Sequence, residues 1–321
     1  MLRHVGGAIA GAALLVLGGA SSAHAGPDKT LAMDCWNNAF YNGTSGFWDS
    51  TSGGSNNNFW EIAEMIELQE DAASHNSKYN DCVSALLTYF RNKYGTNWTG
   101  NTFNDDIVWA CLAFQRGGDS TTAKTNFDAM WSRAYDTNLI QGLWWTTGKT
   151  SKNACVNGPA CICASRLGET NNANLLWNGF LANSRVCDLS KYRIADHINS
   201  DGSIDWAELS YNQGTLIGAA MATGHSTAAQ MAFNESVSAF GTPMRLEGSG
   251  DGDGAGFRGI FARWAQTYSG SGTYLTNNAN DAWNTRNSRG LSGGTWSTRT
   301  TDGTVYAWEC SAGTAMIEDC P

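Results

Sequence analysis

Apolar residues recur at the helical period in about twelve segments of this chain, and alternate segments differ in kind. The segments run over 28–42, 58–73, 78–94, 104–116, 120–136, 152–168, 171–184, 207–222, 226–240, 254–268, 272–287 and 309–318. The second, fourth, sixth, eighth and tenth each follow a Gly- or Asn-rich loop: Asn56-Asn57-Asn58, Thr99-Gly100-Asn101, 148–152, the 199–203 turn and 248–254. They are also rich in small residues, as in Ala154 to Ala164 and Gly214 to Ala222. Small residues let helices approach closely, and short connections imply antiparallel pairs. Six such pairs predict an all-α toroid whose inner helices carry function at their N-terminal ends. Periodicity alone also allows a multi-layer helical bundle. Strand signals are sparse, the exception being a short hairpin expected within 293–308, with Asp302-Gly303 at its turn.

Residues 1–25 read as a signal peptide: Arg3 and His4, an apolar run through Leu17, and the cleavage site Ala23-His24-Ala25. The mature chain is then expected to start near Gly26, to be secreted, and to form one domain over 26–321. No later apolar run reaches the roughly 18 residues of a membrane span, and Cys310 to Pro321 is polar, unlike a lipid-anchor signal. The net charge of −9 and the absence of any basic run argue against nucleic acid. The 14 Trp and 10 Tyr are a better guide, since both side chains form flat platforms with a polar handle, suited to sugar rings. Nine scattered cysteines in an oxidising compartment predict several disulfides with one thiol left over, and none is spaced as a zinc site. Acceptor sequons at Asn42, Asn97 and Asn234 would be glycosylated in a eukaryotic host.

Asp105 and Asp106 stand where the fourth segment begins, in Phe103-Asn104-Asp105-Asp106-Ile107-Val108-Trp109. Asp is favoured in the first turn of any helix, so capping is one reading. The other is catalytic. Two crowded carboxyls cannot both ionise easily, and one charged with one protonated carboxyl is what glycoside hydrolysis requires. No nucleophilic Ser or Cys constellation competes, and no phosphate-binding Gly pattern follows a strand.

Several stretches occur in an order that resembles glycoside hydrolase family 76, the endo-α-1,6-mannanases. They are Asn58-Phe59-Trp60-Glu61-Ile62-Ala63-Glu64, Phe103 to Trp109, Gly142-Leu143-Trp144-Trp145 with Lys152 to Pro159, Ser210 to Gly218, and Asp251 to Phe261. The resemblance implies an (α/α)6 barrel, no cofactor, and a monomer acting on α-1,6-linked mannan. It places catalysis on the double aspartate, with retention, Asp105 as nucleophile and Asp106 as general acid/base. Adjacent helical positions suit the roughly 5–5.5 Å carboxyl separation of a retaining enzyme. The helix N-terminus is expected to hold Asp105 ionised, and its charge to keep Asp106 protonated.

By composition Trp144-Trp145 is a buried aromatic pair; the resemblance makes it a sugar platform, together with Trp60. Tyr211, Asn212 and Gln213 either satisfy a buried network or meet sugar hydroxyls, and Asn153 and Asn157, one turn apart, either face the cleft or tie helices together. Asp251 and Asp253 are read as mannose-binding carboxylates. A calcium loop is mimicked by His197, Asn199, Asp201, Ser203, Asp205 and Glu208, but His in place of the first carboxylate disfavours a hard cation, and no metal site is assigned. Two other functions remain open: a cell-wall mannan transglycosylase using the same pair, and a non-catalytic mannan binder.

Overall fold

A computed structural model of the chain describes residues 26–43, 46–54 and 58–321. The expected signal peptide lies outside the described residues, as do Asn56 and Asn57 of the loop before the second helix.

Twelve α-helices are found among the described residues: α1 Lys29–Phe40, α2 Phe59–His75, α3 Asn80–Tyr94, α4 Asn104–Arg116, α5 Ser120–Ala134, α6 Ala154–Arg166, α7 Thr170–Leu176, α8 Ser210–Ala222, α9 Ser226–Phe240, α10 Phe257–Ala265, α11 Gly272–Asn284 and α12 Ala307–Asp319. The even-numbered helices pack side by side, and α12 returns to α2, so the six close into a ring. The odd-numbered helices lie outside it. This is the (α/α)6 toroid.

The two kinds of helix follow from their burial patterns. Outer α3 buries Val83, Leu86, Leu87 and Phe90, a single stripe at helical spacing. Inner α6 is buried almost all round, from Ala154 to Ala164. Inner helices also come very close. A Cβ on Gly214 of α8 would stand 2.6 Å from the Phe261 Cα of α10, so a side chain there would push the two backbones apart.

The strands are not where they were expected. Residues 293–306 lie in turns and coil, with a single isolated bridge from Tyr306 to Ser50, and Ala307 already opens α12, because side chains take the loop's polar groups. Thr300 Oγ1 meets Gly293 N and O at 3.0 Å each, and the Asp302 carboxylate accepts from Ser288 N at 2.8 Å. Strands lie instead in the loops at the N-terminal ends of inner helices. β1 Tyr135–Asp136 pairs with β2 Gly142–Leu143. β3 Ser151–Asn153, β6 His197–Asn199 and β7 Ile204–Asp205 form a three-stranded antiparallel sheet in the order given, and β4 Cys187–Asp188 pairs with β5 Arg193–Ile194. Strand β3 claims residues 151–153, so α6 starts at Ala154. The calcium-like segment is the β6–β7 hairpin, where Asp201 accepts from Ser203 N at 2.9 Å and Asp205 from Ala207 N at 2.8 Å.

Disulfides were expected, yet all nine cysteines are free thiols. Most sit between helices as small apolar side chains, with Cys111, Cys161 and Cys320 donating to the carbonyls of Ala123, Ala173 and Ile317.

At the C-terminal end of the ring, carboxyls from α2 (Glu64, Glu67, Glu70, Asp71) and α12 (Glu318, Asp319) are buried around two arginines. Arg263 of α10 reaches Asp71 at 2.8 Å and also pairs with Glu64 and Glu67. Arg116 of α4 pairs with Asp71 and Glu70. Two cations cannot neutralise six carboxyls, so the surplus is protonated. Burial, with the Glu67 charge adding and Arg263 opposing, raises Glu64 to about 8; burial and the Asp71 charge raise Glu318 to about 8. Burial pushes Asp71 up too, but Arg116 and Arg263 outweigh it and hold Asp71 low.

Arg263→Met strands the carboxylates it pairs, and should cost about 3–5 kcal/mol in urea unfolding. Glu64 and Glu318 carry raised values, so the stability they contribute is full below the ordinary carboxylate range and is lost as pH rises through about 8. The midpoint of thermal unfolding should therefore fall from pH 6 to pH 9, while the Asp71 contribution is lost only at acid pH. An unfolding midpoint that rises over that alkaline range would contradict this account.

Candidate active site

A cleft of about 580 Å³ opens at the N-terminal end of the ring, where the first turns of the inner helices converge. Asp105 and Asp106 lie on its floor, in the first turn of α4. The loop before them is clamped from α5: Arg133 donates to Asn104 Oδ1 at 2.8 Å, to Thr99 O at 2.7 Å and to Asn101 O at 2.7 Å. Asn104 also donates its backbone N–H to Trp145 O and its amide to Trp144 O, both at 2.8 Å. The pair thus stands on a rigid support.

Each carboxyl keeps some surface open to the cleft, yet each is packed deeply enough to lose much of its hydration. Asp105 Oδ2 accepts from the Cys155 thiol at 3.4 Å, while its Oδ1 is buried without a partner. Asp106 Oδ2 accepts from the Asn101 amide at 2.9 Å. Burial, then the Asp106 charge, push Asp105 up to about 7. Burial likewise pushes Asp106 up to about 6, against the Asn101 hydrogen bond. Asp105 was expected to be held ionised by the helix N-terminus. Loss of hydration outweighs the dipole, and the two carboxyls titrate as a pair near neutrality.

Around the pair the walls are aromatic and polar. Trp145 lies against Phe103 with ring centroids 5.3 Å apart, and Trp60 meets Trp308 edge-on at 4.9 Å. Trp109 forms part of the floor while being almost wholly buried. Tyr211 stacks on Phe257 at 3.8 Å. A Cβ on Gly256 would fall 2.1 Å from the Trp308 indole, so this glycine admits the ring, whose N–H donates to Asp253 O at 3.0 Å. Asn153 faces the cleft and accepts from Ser151 at 2.6 Å, and Asp253 lines the opposite wall.

Other residues singled out in the sequence lie elsewhere. Trp144 is buried: its indole donates to Asp136 at 2.7 Å and its ring lies under the Lys152 ammonium at 4.8 Å, where that cation also pairs with Asp136 at 2.8 Å. Asn157 staples β2 to α6, accepting from Leu143 N at 2.8 Å and donating to Leu143 O at 3.0 Å. Gln213 accepts from Ile194 N at 3.2 Å, outside the cleft. Asn212 stands behind the wall, donating to Asp196 at 2.9 Å. Asp251 lines a separate threonine-rich groove with Tyr306.

Asp196 and His197 were missed as site residues. They line the cleft as a pair, His197 Nδ1 to Asp196 Oδ2 at 2.7 Å, brought there because β6 pairs with β3. No motif covers Asp196, and His197 stood out only in the calcium-like spacing. Phe103, Phe257 and Cys155 lay inside quoted motifs but carried no signal of their own.

The α-1,6-mannanase GH76A from Salegentibacter sp. HEL1_6 superimposes with a TM-score of 0.80 at 23% identity, over 91% of this chain and 97% of that one. An inactive double-aspartate variant of that enzyme, in complex with α-1,6-mannotriose, gives a TM-score of 0.80 at 22% identity, over 91% and 97% of the two chains. Dfg5 from Chaetomium thermophilum, in complex with glucosamine, gives 0.72 at 16% identity over 91% and 88%. At such identities these likenesses concern the fold. No curated protein matches the chain significantly. The sequence profile of glycosyl hydrolase family 76 matches residues 27–318, almost the whole of the described chain, so this protein belongs to that family.

Proposed function

We propose that this chain is a secreted, monomeric glycoside hydrolase that cuts internal α-1,6-mannosidic bonds of mannan with retention at the anomeric carbon. One observation carries the reading: two adjacent carboxyls, both titrating near neutrality, on the floor of a cleft walled by Trp60, Trp145 and Tyr211. The complexes of similar proteins with α-1,6-manno-oligosaccharides support mannan as the substrate. An open cleft, as opposed to a closed pocket, suits attack within a polymer. Removal of residues 1–25 on export belongs to the same proposal.

Asp105, on the cleft floor in the first turn of α4, is assigned the attack on the anomeric carbon. Asp106 gives its proton to the departing glycosidic oxygen, leaving a mannosyl ester on Asp105. It then takes a proton from water, whose oxygen attacks the anomeric carbon and breaks that ester. The Asp196–His197 pair, with Asn153 and Asp253, offers hydrogen-bonding groups for sugar hydroxyls, and the aromatic faces take the apolar sides of the rings.

Asp105→Asn and Asp106→Asn should each lower kcat on linear α-1,6-mannan by roughly 10²–10⁴ without changing the circular dichroism spectrum. Full activity of either variant would refute the assignment. The roles separate on an aryl mannoside, whose leaving group needs no proton: Asp106→Ala should retain its glycosylation step and Asp105→Ala should not. Products longer than the starting oligosaccharide would mark transfer to sugar in place of hydrolysis.

Catalysis needs one carboxyl charged and one protonated. The two values belong to the pair: below about 6 both carboxyls hold protons and no nucleophile remains, and above about 7 both are ionised and no acid remains. Because Asp105 carries the higher value, the assigned roles need the shared proton to sit on Asp106 when the sugar is bound. The pH profile of kcat/KM should be a bell with its maximum between those values. A plateau extending unchanged to pH 9 would contradict the pairing.

A further inference from the structure

Cys155 is the second residue of α6 and is buried, yet it lines the cleft. Its Sγ stands 3.4 Å from Asp105 Oδ2. An ionised carboxylate only accepts hydrogen bonds, so the thiol is the donor. Tyr211, from α8, lines the same wall and lies beside that sulfur. The indole nitrogen of Trp145, buried and otherwise unpartnered, also lies beside the Asp105 carboxyl. Inner helices α4, α6 and α8 therefore meet at one carboxyl through a chain of side-chain contacts.

We propose that Cys155 is a positioning residue for the nucleophile, its thiol holding Asp105 Oδ2 and so fixing the orientation of the carboxylate on the cleft floor. The proposal rests on the reading of Asp105 as the attacking group. A thiol suits the task because it is a weak donor. It fixes the direction of the carboxylate without strongly quenching its charge, and it yields readily when the carboxylate becomes an ester. The contact favours the ionised form of Asp105, opposing burial and the Asp106 charge. Burial and the neighbouring Asp105 charge hold the Cys155 thiol well above its usual range, so it stays a neutral donor. The titratable groups facing Asp105 are Asp106 on its own helix, Cys155 on α6, Tyr211 on α8 and, beyond them, Asp196.

The test compares Cys155→Ala, which removes the donor, with Cys155→Ser, which keeps one. Cys155→Ala should lower kcat about tenfold with little change in KM, and move the acidic limb of the kcat/KM profile to higher pH. Cys155→Ser should restore that limb. The contact is read without turnover from the S–H stretching band, isolated by subtracting the Raman spectrum of Cys155→Ala from that of the unmutated protein. The band should lie low in frequency and move up in an Asp105→Ala background. An enzyme that hydrolyses mannan, but whose Cys155→Ala variant keeps its acidic limb and whose S–H band ignores Asp105→Ala, overturns the role of Cys155 alone. Failure of the unmutated protein to hydrolyse any α-mannan, with the band shift intact, overturns instead the reading of the cleft and with it the positioning role.

Discussion

Six inner helices can close into a ring only if the charges that fall between them are paired or protonated. Arg263 is the centre of that settlement, joining α10 to Glu64, Glu67 and Asp71 of α2 across the ring. Arg116 brings α4 to the same carboxylates. What the two arginines leave over is accommodated by protons, since burial raises Glu64, Glu70, Glu318 and Asp319 above the ordinary carboxylate range. A bare buried carboxylate would cost several kcal/mol, so ring closure and proton uptake are one event. With the C-terminal ends of the helices tied in this way, their N-terminal ends are left to diverge around a cleft.

The same physics operates at both ends of the ring, with opposite uses. At the closed end, burial raises carboxyl groups so that they stay neutral and the helices stay together. At the open end, burial raises Asp105 and Asp106 so that one proton is shared near neutral pH. The helix N-terminus beneath the pair favours negative charge, but only by a fraction of what desolvation takes away. Side chains make finer adjustments, as Asn101 does for Asp106 and Cys155 for Asp105.

The helices were legible because their signal is local. Eleven of the twelve were placed within a few residues, and the small-residue segments proved to be the inner ones. The seventh was carried to 184, where α7 ends at Leu176 and gives way to a π-helical turn over Trp177–Leu181. Two misplaced starts have visible causes: strand β3 claims Ser151–Asn153, which helical periodicity had assigned to α6, and a 3-10 turn over Asp253–Ala255 precedes α10. The double aspartate, Trp60, Trp145, Asn153, Tyr211 and Asp253 all reach the cleft. Their motifs also contained Trp144, Asn157 and Gln213, which face the other way and hold loops and strands to the helices. A motif marks a stretch, and side chains within it alternate between the ligand and the scaffold.

Local order sufficed for the paired helices, for their inner and outer classes and for the position of the paired carboxyls, because each depends on spacing along the chain. It left a toroid and a multi-layer bundle both open, and the return of α12 to α2 decided between them. Tertiary structure decided which end of the ring is sealed, since Arg263 meets residues 192 to 199 positions away. It decided that Asp196 and His197 enter the cleft, because β6 pairs with β3. It also kept nine cysteines as thiols in helix interfaces and against Asp105, where sequence spacing suggested cross-links. Charge balance, burial and strand pairing arise only between distant segments, and no reading of neighbours along the chain contains them.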